Sequence, residues 1–354
     1  TITFLPVTAS DLPAGDLDEF LCLLTAPEVT KTAYNAAFER TCLAQYFDCP
    51  MPPEQWRCTM VQAATLGLPG TLAQVGAALG LEKQKMEEGK ELIRYFCKPT
   101  KAGVRRYPAD APEKWELFRR YNIRDVDVET DIRERLSRWP RPQAELDAWA
   151  LDQRINDRGV RLDVALVDQA LKLDAEYSAR LKDEAQELTG LPNPKSDSQL
   201  KGWLAGRGLV TDSLDKEAIP ALLTAAQDDT TRRVLMLRQE MGKTSVKKYE
   251  AMARGLCRDG RVHNLLQFYG AGRTGRWAGR LVQVQNLPQN KLPDLETARG
   301  LVRNGEFDLL ELAYGSPPFV LSQLIRTAFI PSEGCRFIVC DYSAIEARVL
   351  AWLA

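Results

Sequence analysis

The sequence of 354 residues contains a single histidine, His263. Catalytic triads with a histidine base, HExxH zinc sites and histidine-metal nucleases all need imidazoles that this chain does not have. Any chemistry must therefore run on carboxylates, metals and cations. A GxxxxGK[ST] loop is also missing, which argues against a nucleotide-driven motor. The eight cysteines form no CxxC pair, so reduced thiols in a cytosol are expected, not disulfides or a zinc site. No apolar run reaches the length of a membrane span, and no Lys or Arg precedes Lys31. The expectation is a cytoplasmic protein without membrane contact. The chain opens on Thr1 and stops at Ala354, which reads as a fragment or a partial gene product.

What is present suits a large protein with several cores. Hydrophobic residues make up 45% of the chain and the net charge is −1, a composition and length that suggest two or three domains. Residues 1–140 read as an α/β domain. Asp16 and Glu19 resemble a capping pair for a helix over Leu17 to Leu24, and Val29 to Tyr34 suits a strand. A helix is predicted from Pro112 to Leu136, with Phe118, Tyr121, Val128 and Ile132 along one stripe. Asp125 interrupts that stripe. A carboxylate there needs a metal, a backbone donor or an Arg partner. Residues 141–255 read as long helices broken by the turn-rich Pro192 to Ser198, with Leu146, Trp149, Ala150 and Ile155 as core positions of the first.

Charge is strongly uneven. From Arg232 to Arg280 there are twelve cations, Lys247 and Lys248 among them, against the three acids Glu240, Glu250 and Asp259. A track for a phosphate backbone or a solvated helix face would both produce this. Gly270 to Gly275 spells GxGxxG after a strand-like Leu265 to Tyr269. The following Arg276 to Arg280 lacks an apolar helical face, and Val282 to Pro288 reads as extended, so a dinucleotide loop is rejected. Trp277 reads as a core residue more than as a base-stacking one.

The last segment carries the most information. Phe337 to Cys340 read as a short buried strand, Asp341 stands at its end, and a helical pattern follows with Ile345, Val349 and Trp352 on one face. Carboxylates held rigidly against Mg²⁺ are what phosphoryl transfer needs. Asp341-Tyr342-Ser343-Ala344-Ile345-Glu346-Ala347-Arg348 is similar to motif A of the family A DNA polymerases, the group of bacterial DNA polymerase I and many phage replicative enzymes, and the wording looks closest to the phage branch. The plain alternative is a surface Asp and Glu flanking a strand-to-helix turn. The resemblance implies Asp341 as a ligand of Mg²⁺, Tyr342 as a neighbour of the incoming deoxynucleoside triphosphate, and Glu346 as the gate against a ribose 2′-hydroxyl.

Other segments match the family in order. Asn35 to Glu39 resembles the second motif of 3′-to-5′ proofreading exonucleases, with Glu39 in place of the usual aspartate, and Tyr121 to Asp125 resembles the third. The resemblance makes Glu39 and Asp125 metal ligands and Tyr121 the residue that orients the attacking water. The first motif, a strand with Asp-x-Glu, is not in the sequence, so no appreciable exonuclease activity is expected. Residues 141–255 resemble the helical thumb. Arg273, Thr274 and Arg276, followed by Gln285 and Asn286, resemble the segments that contact primer-template DNA in the minor groove. Arg326 would lie near the primer or triphosphate, or else form a structural salt bridge.

The resemblance thus implies an α/β multidomain protein: a partial exonuclease-like domain (1–140) with a ribonuclease H-like fold, a helical thumb (141–255), and the N-terminal part of a polymerase palm (256–354). The implied reaction is templated addition of deoxynucleotides with two Mg²⁺ ions. The sequence lacks the fingers helix and the second palm carboxylate, so the isolated chain is not expected to polymerise. Two other readings stand beside this one: a non-catalytic remnant that binds primer-template DNA, and one part of a split polymerase whose fingers and remaining palm come from a second chain.

Overall fold

The computed structural model describes residues 14–82, 86, 88–242, 246–272 and 274–354, with side chains from residue 17 onward. The described chain forms two compact units, each with its own cores. The first comprises residues up to Arg158 together with Leu266–Arg280, and the second comprises Gly159–Leu265 and Leu281–Ala354. This division departs from the boundaries read at 140 and 255. The first unit keeps the helix that follows residue 140, and the chain returns to it after residue 265, because packing follows shared cores and not position along the sequence.

In the first unit, helix α1 (Ala14–Thr25) precedes strand β1 (Lys31–Ala33) and helix α2 (Ala36–Phe47). Strand β2 (Trp56–Cys58) then runs parallel to β1, with Lys31 opposite Trp56 and Ala33 opposite Cys58. Short helices α3 (Thr59–Thr65) and α4 (Leu72–Ala78) follow, then α5 (Gly89–Cys97), the long α6 (Pro112–Leu136) and α7 (Gln143–Arg158). Thr71 caps α4, its hydroxyl accepting from the Gln74 backbone N–H. The domain read as α/β is therefore mostly helical around one small parallel pair. Three cores hold it. Leu24, Trp56, Val61 and Trp149 share one with Phe268. Val75, Val128 and Ile132 lie in a second. Phe96, Phe118 and Tyr121 stack in a third.

Strands β3 (Val160–Leu162) and β4 (Arg261–Val262) belong to the second unit, after which the chain re-enters the first as the antiparallel hairpin β5 (Leu266–Ala271) and β6 (Arg276–Gly279). The register shifts between Gln267 and Ala271, and Tyr269 takes a positive φ of 55° at this bulge. Two glycines make the hairpin possible. A Cβ on Gly270 would sit 2.5 Å from the Ala278 Cβ, and one on Gly275, where φ is +67°, would sit 2.8 Å from the Tyr269 ring. The GxGxxG spelling thus serves a tight two-stranded turn and opens no helix.

In the second unit, α8 (Val164–Thr189) is the spine. Asp163 caps it, accepting from the Leu166 N–H at 3.1 Å, and its buried carboxylate also pairs with Arg299 and Arg303. Helices α9 (Asp197–Ala205), α10 (Ile219–Ala225) and α11 (Asp229–Met241) close a smaller core over Leu200, Leu204 and Leu235. Helix α12 (Lys247–Gly255) joins α13 (Leu295–Asn304), α14 (Phe307–Tyr314) and α15 (Pro317–Leu324) in the main core with Leu166, Tyr249, Val302 and Leu321. A three-stranded sheet runs β4-β3-β7, where β7 is Phe329–Ile330 and both pairings are antiparallel. The last helix is α16 (Ile345–Leu353). Among the described residues no helix is long and apolar enough to cross a membrane.

Candidate functional site

The hairpin presents the first group of sequence-predicted contacts. Thr274 and Arg276 are exposed in its turn and at the start of β6, whereas Arg273 lies outside the described residues. Trp277 is 42% exposed, so it is not the core residue expected. Its ring packs edge-on against Phe268 at 5.0 Å, and its indole Nε1–H donates to Asp152 Oδ1 at 2.7 Å. Asp152 is buried on α7 and also accepts from the side-chain amides of Gln153, at 2.9 Å, and Asn156, at 3.1 Å. Burial pushes the Asp152 carboxyl up to about 6, against the pull of these donors. Asn156 in turn clamps the hairpin backbone. It donates to the Leu266 carbonyl and accepts from the Leu266 N–H, both at 2.9 Å.

Sequence reading missed this polar face, although its signal was available. Trp149, Asp152, Gln153 and Asn156 are all buried and follow i, i+3, i+4, i+7 spacing, while Ile155, read as core, is exposed. The inward stripe of α7 is largely polar, so a search for apolar periodicity chose the wrong residue.

In the second unit, the segment from Leu281 to Pro288 holds Gln285 and Asn286. Val282 to Pro288 was read as extended and is instead a turn with one 3₁₀ step at Val284–Asn286, entered through Gln283 at a φ of 54°. Buried Val282 and Leu287 anchor it. Lys248 donates to the Val282 carbonyl at 2.6 Å, and Arg326 donates from Nε to the Pro288 carbonyl and from Nη2 to the Leu287 carbonyl, each at 2.8 Å. Arg326 therefore makes backbone contacts where an acidic partner was one of the two expectations. The result is a braced segment that leaves Gln285 and Asn286 exposed, with Lys247 also exposed on α12.

Many of the cations counted between Arg232 and Arg280 already have anionic or carbonyl partners. Arg233 makes two bonds to Glu184, at 2.6 and 2.7 Å, Arg238 pairs with Asp197 at 2.6 Å, and Arg232 pairs with Asp229 at 3.0 Å. Lys243 lies outside the described residues. The charge of α11 is thus compensated locally, and within the second unit Lys247 and Arg258 are exposed.

The exonuclease-like residues gather differently from the expectation. Glu39 sits on α2, and its Oε2 is buried without a hydrogen-bond partner. Burial pushes this carboxyl up to about 7, and the field of Glu129 adds to the rise. Glu129, one turn beyond Asp125, is the buried carboxylate of α6, and the Thr59 hydroxyl donates to its Oε1 at 2.5 Å. Asp125 is only half-buried. Tyr121 lies within an aromatic stack with Phe118, and a Cβ on Gly89 would fall 2.0 Å from its ring. Among the described residues no three His, Cys, Asp or Glu side chains form a metal-holding group. Glu39 lies on α2, and Asp125 and Tyr121 lie on α6.

The motif A segment also departs from its reading. Phe337–Cys340 form no strand, and Val339 is 88% exposed. Their β-branched and aromatic pattern favours extension, but a strand exists only beside a partner, and no described strand pairs with this segment. Asp341, Tyr342 and Glu346 are exposed, the first two in a loop and the third in the first turn of α16. The helical pattern read from Ser343 onward becomes a helix from Ile345, and Arg348 donates from Nε to the Ser343 carbonyl at 2.9 Å, bracing its entry. Asp341 supplies one carboxylate, where a pair of metals about 3.5 to 4 Å apart needs several oxygen ligands.

Comparison with known proteins adds descent to this geometry. No family model matches the chain. It is 59% identical to a DNA polymerase of Bacillus phage SP02, over 99% of this chain and 55% of that protein. It is 30% identical to a thermostable DNA polymerase I of Thermus thermophilus, over 81% of this chain and 33% of the relative. The POL domain of Pol1 from M. smegmatis, solved in complex with DNA primer-template and dNTP, shares the fold at a TM-score of 0.53 and 18% identity, covering 98% of this chain and 53% of that one. The chain spans about half the length of the phage relative and a third of the Thermus one. By descent, the chain belongs to the family A DNA polymerases.

Proposed function

We propose that this chain forms the primer-template-handling part of a DNA polymerase that adds deoxynucleotides to a primer 3′ end. The single observation that carries the reading is the 59% identity, over 99% of this chain, to a protein named as a DNA polymerase. Within the first unit, Thr274 and Arg276 are the groups proposed to meet the duplex; within the second, they are Gln285, Asn286, Lys247 and the braced segment below Arg326. Arg276 and Lys247 can meet the sugar–phosphate backbone, and the exposed amides of Gln285 and Asn286 can reach the acceptors that every base pair offers in the minor groove, which suits binding with little sequence choice. Asp341 is proposed as one carboxylate toward Mg²⁺, Tyr342 as a neighbour of the deoxynucleoside triphosphate, and Glu346 as the sugar gate. The division into exonuclease-like, thumb and palm parts belongs to the same proposal.

A second reading is that this chain binds primer-template DNA without chemistry of its own. A third assigns the remaining catalytic groups to a second chain. Primer extension with Mg²⁺ and deoxynucleotides, run beside duplex binding, separates them. Extension by the chain alone supports the polymerase reading. Binding without extension supports the second. Extension only after a second polypeptide is added supports the third.

A further inference from the structure

The network between α7 and the hairpin assigns a role to a buried carboxylate that motif reasoning leaves unused. Asp152 is 1% exposed, and none of its hydrogen-bond donors is charged: the Trp277 indole, the Gln153 and Asn156 amides, and the Phe268 backbone N–H. Burying a carboxylate without a cation is costly, and an apolar residue of similar size would fill the space more cheaply. What the carboxylate adds is direction. It accepts the indole N–H of a tryptophan that is only half buried, and so fixes a ring whose position burial alone would leave loose. A two-stranded hairpin is marginal by itself. The β5–β6 pair takes its position from α7 at two points, Asn156 on the Leu266 backbone at the base and Asp152 on Trp277, next to Arg276.

The far side of the network is equally tied down. Gln153 accepts from Arg40 Nη2 at 3.2 Å while donating to Asp152. Arg40, buried on α2, makes paired bonds to Asp157 at 2.6 and 2.8 Å and donates to the Met51 carbonyl. Asp152 is therefore held by a helix that is itself locked to α2, the support a precisely aimed side chain requires.

We propose that Asp152 is a positioning residue for duplex binding, aiming the Thr274–Arg276 turn at a sugar–phosphate backbone through the Trp277 indole. This rests on the primer-template reading above. It is tested by measuring the affinity of a fluorescein-labelled primer-template duplex for the full chain and for R276A, D152N, W277F and the D152N/W277F double variant, with the backbone amide and indole ¹H–¹⁵N spectra of each. Trp277→Phe removes the donor together with the pyrrole half of the indole and leaves a phenyl ring against Phe268, so it carries the test if Asp152→Asn fails to fold. The expected result is a loss of about tenfold for each single variant, the scale of one well-made hydrogen bond to a charged group. The double variant should lose no more than the weaker-binding single variant, because both changes break the same link. The indole resonance that W277F deletes should shift in D152N. Losses that add in the double variant, or wild-type affinity in a folded W277F while R276A is weakened, overturn the positioning role and leave the duplex reading intact. No salt-dependent duplex binding by the unchanged protein overturns both.

Discussion

Arg326 donates to the backbone carbonyl of Leu287 at 2.8 Å, and with a second bond to Pro288 it makes one guanidinium the brace of the segment that exposes Gln285 and Asn286. The fork geometry of arginine matches two adjacent carbonyls, which a lysine ammonium cannot do. Replacement by lysine should keep one bond and weaken primer-template affinity about threefold to tenfold, while alanine should weaken it further. A fluorescence anisotropy titration of all three proteins checks this. Equal affinities would show that the brace does not matter to DNA.

Arg40 predicts stability more than function. Its guanidinium is buried and holds Asp157, Gln153 and the Met51 carbonyl together. Arg40→Met should destabilise the first unit by about 3 kcal/mol, because buried acceptors lose their donor. Urea unfolding followed by the fluorescence of the buried tryptophans would measure it. A change below about 0.5 kcal/mol, the scale of ordinary surface substitutions, would contradict the role given to the network.

Glu39 predicts a pH dependence whose sign is fixed. Burial holds its carboxyl at about 7 in the folded protein, well above the ordinary carboxylate range. The folded state therefore binds this proton more tightly than the unfolded state does. The stabilisation that follows is fully present below about pH 4.5 and is lost as pH rises through about 7. Glu39→Gln removes the ionisable group and keeps the shape. The variant's melting temperature relative to the unchanged protein should thus be higher at pH 8 than at pH 5. A difference that is the same at both pH values would show that Glu39 is not held protonated.

The hairpin turn yields a backbone test. Gly275 has a φ of +67°, and a Cβ there would press into the Tyr269 ring at 2.8 Å. Gly275→Ala should cost at least about 1 kcal/mol of stability and weaken duplex binding, whereas Gly272→Ala, whose Cβ would meet nothing within 4 Å, should be close to neutral. Thermal unfolding of the two variants side by side decides it. Equal losses would contradict the close approach.

How far the sequence could be read varied with how local the cause was. Helix α6 begins and ends at the predicted Pro112 and Leu136, and the break read at Pro192 to Ser198 separates α8 from α9 except that α9 already starts at Asp197, because proline, turn residues and apolar spacing act within a few residues. The strand-like Leu265 to Tyr269 was legible for the same reason, but its partner strand Arg276–Gly279 was not. Nor was pairing. Phe337 to Cys340 has the composition of a strand, yet a strand depends on neighbours that no local pattern specifies. Apolar scanning of α6 also passed over Glu129, which tertiary packing buries one turn after Asp125, beside Thr59. The polar face of α7 was hidden by its chemistry, since Asp152 and Asn156 occupy core positions that apolar scanning passes over.

The most direct test of the central claim is the salt dependence of primer-template binding by this chain. If Thr274, Arg276, Lys247 and their neighbours meet a sugar–phosphate backbone, affinity should fall by about tenfold or more between 50 and 200 mM salt, and Arg276→Ala should lower the log–log slope by about one. Binding that does not change with salt, or a slope untouched by Arg276→Ala, would contradict the account.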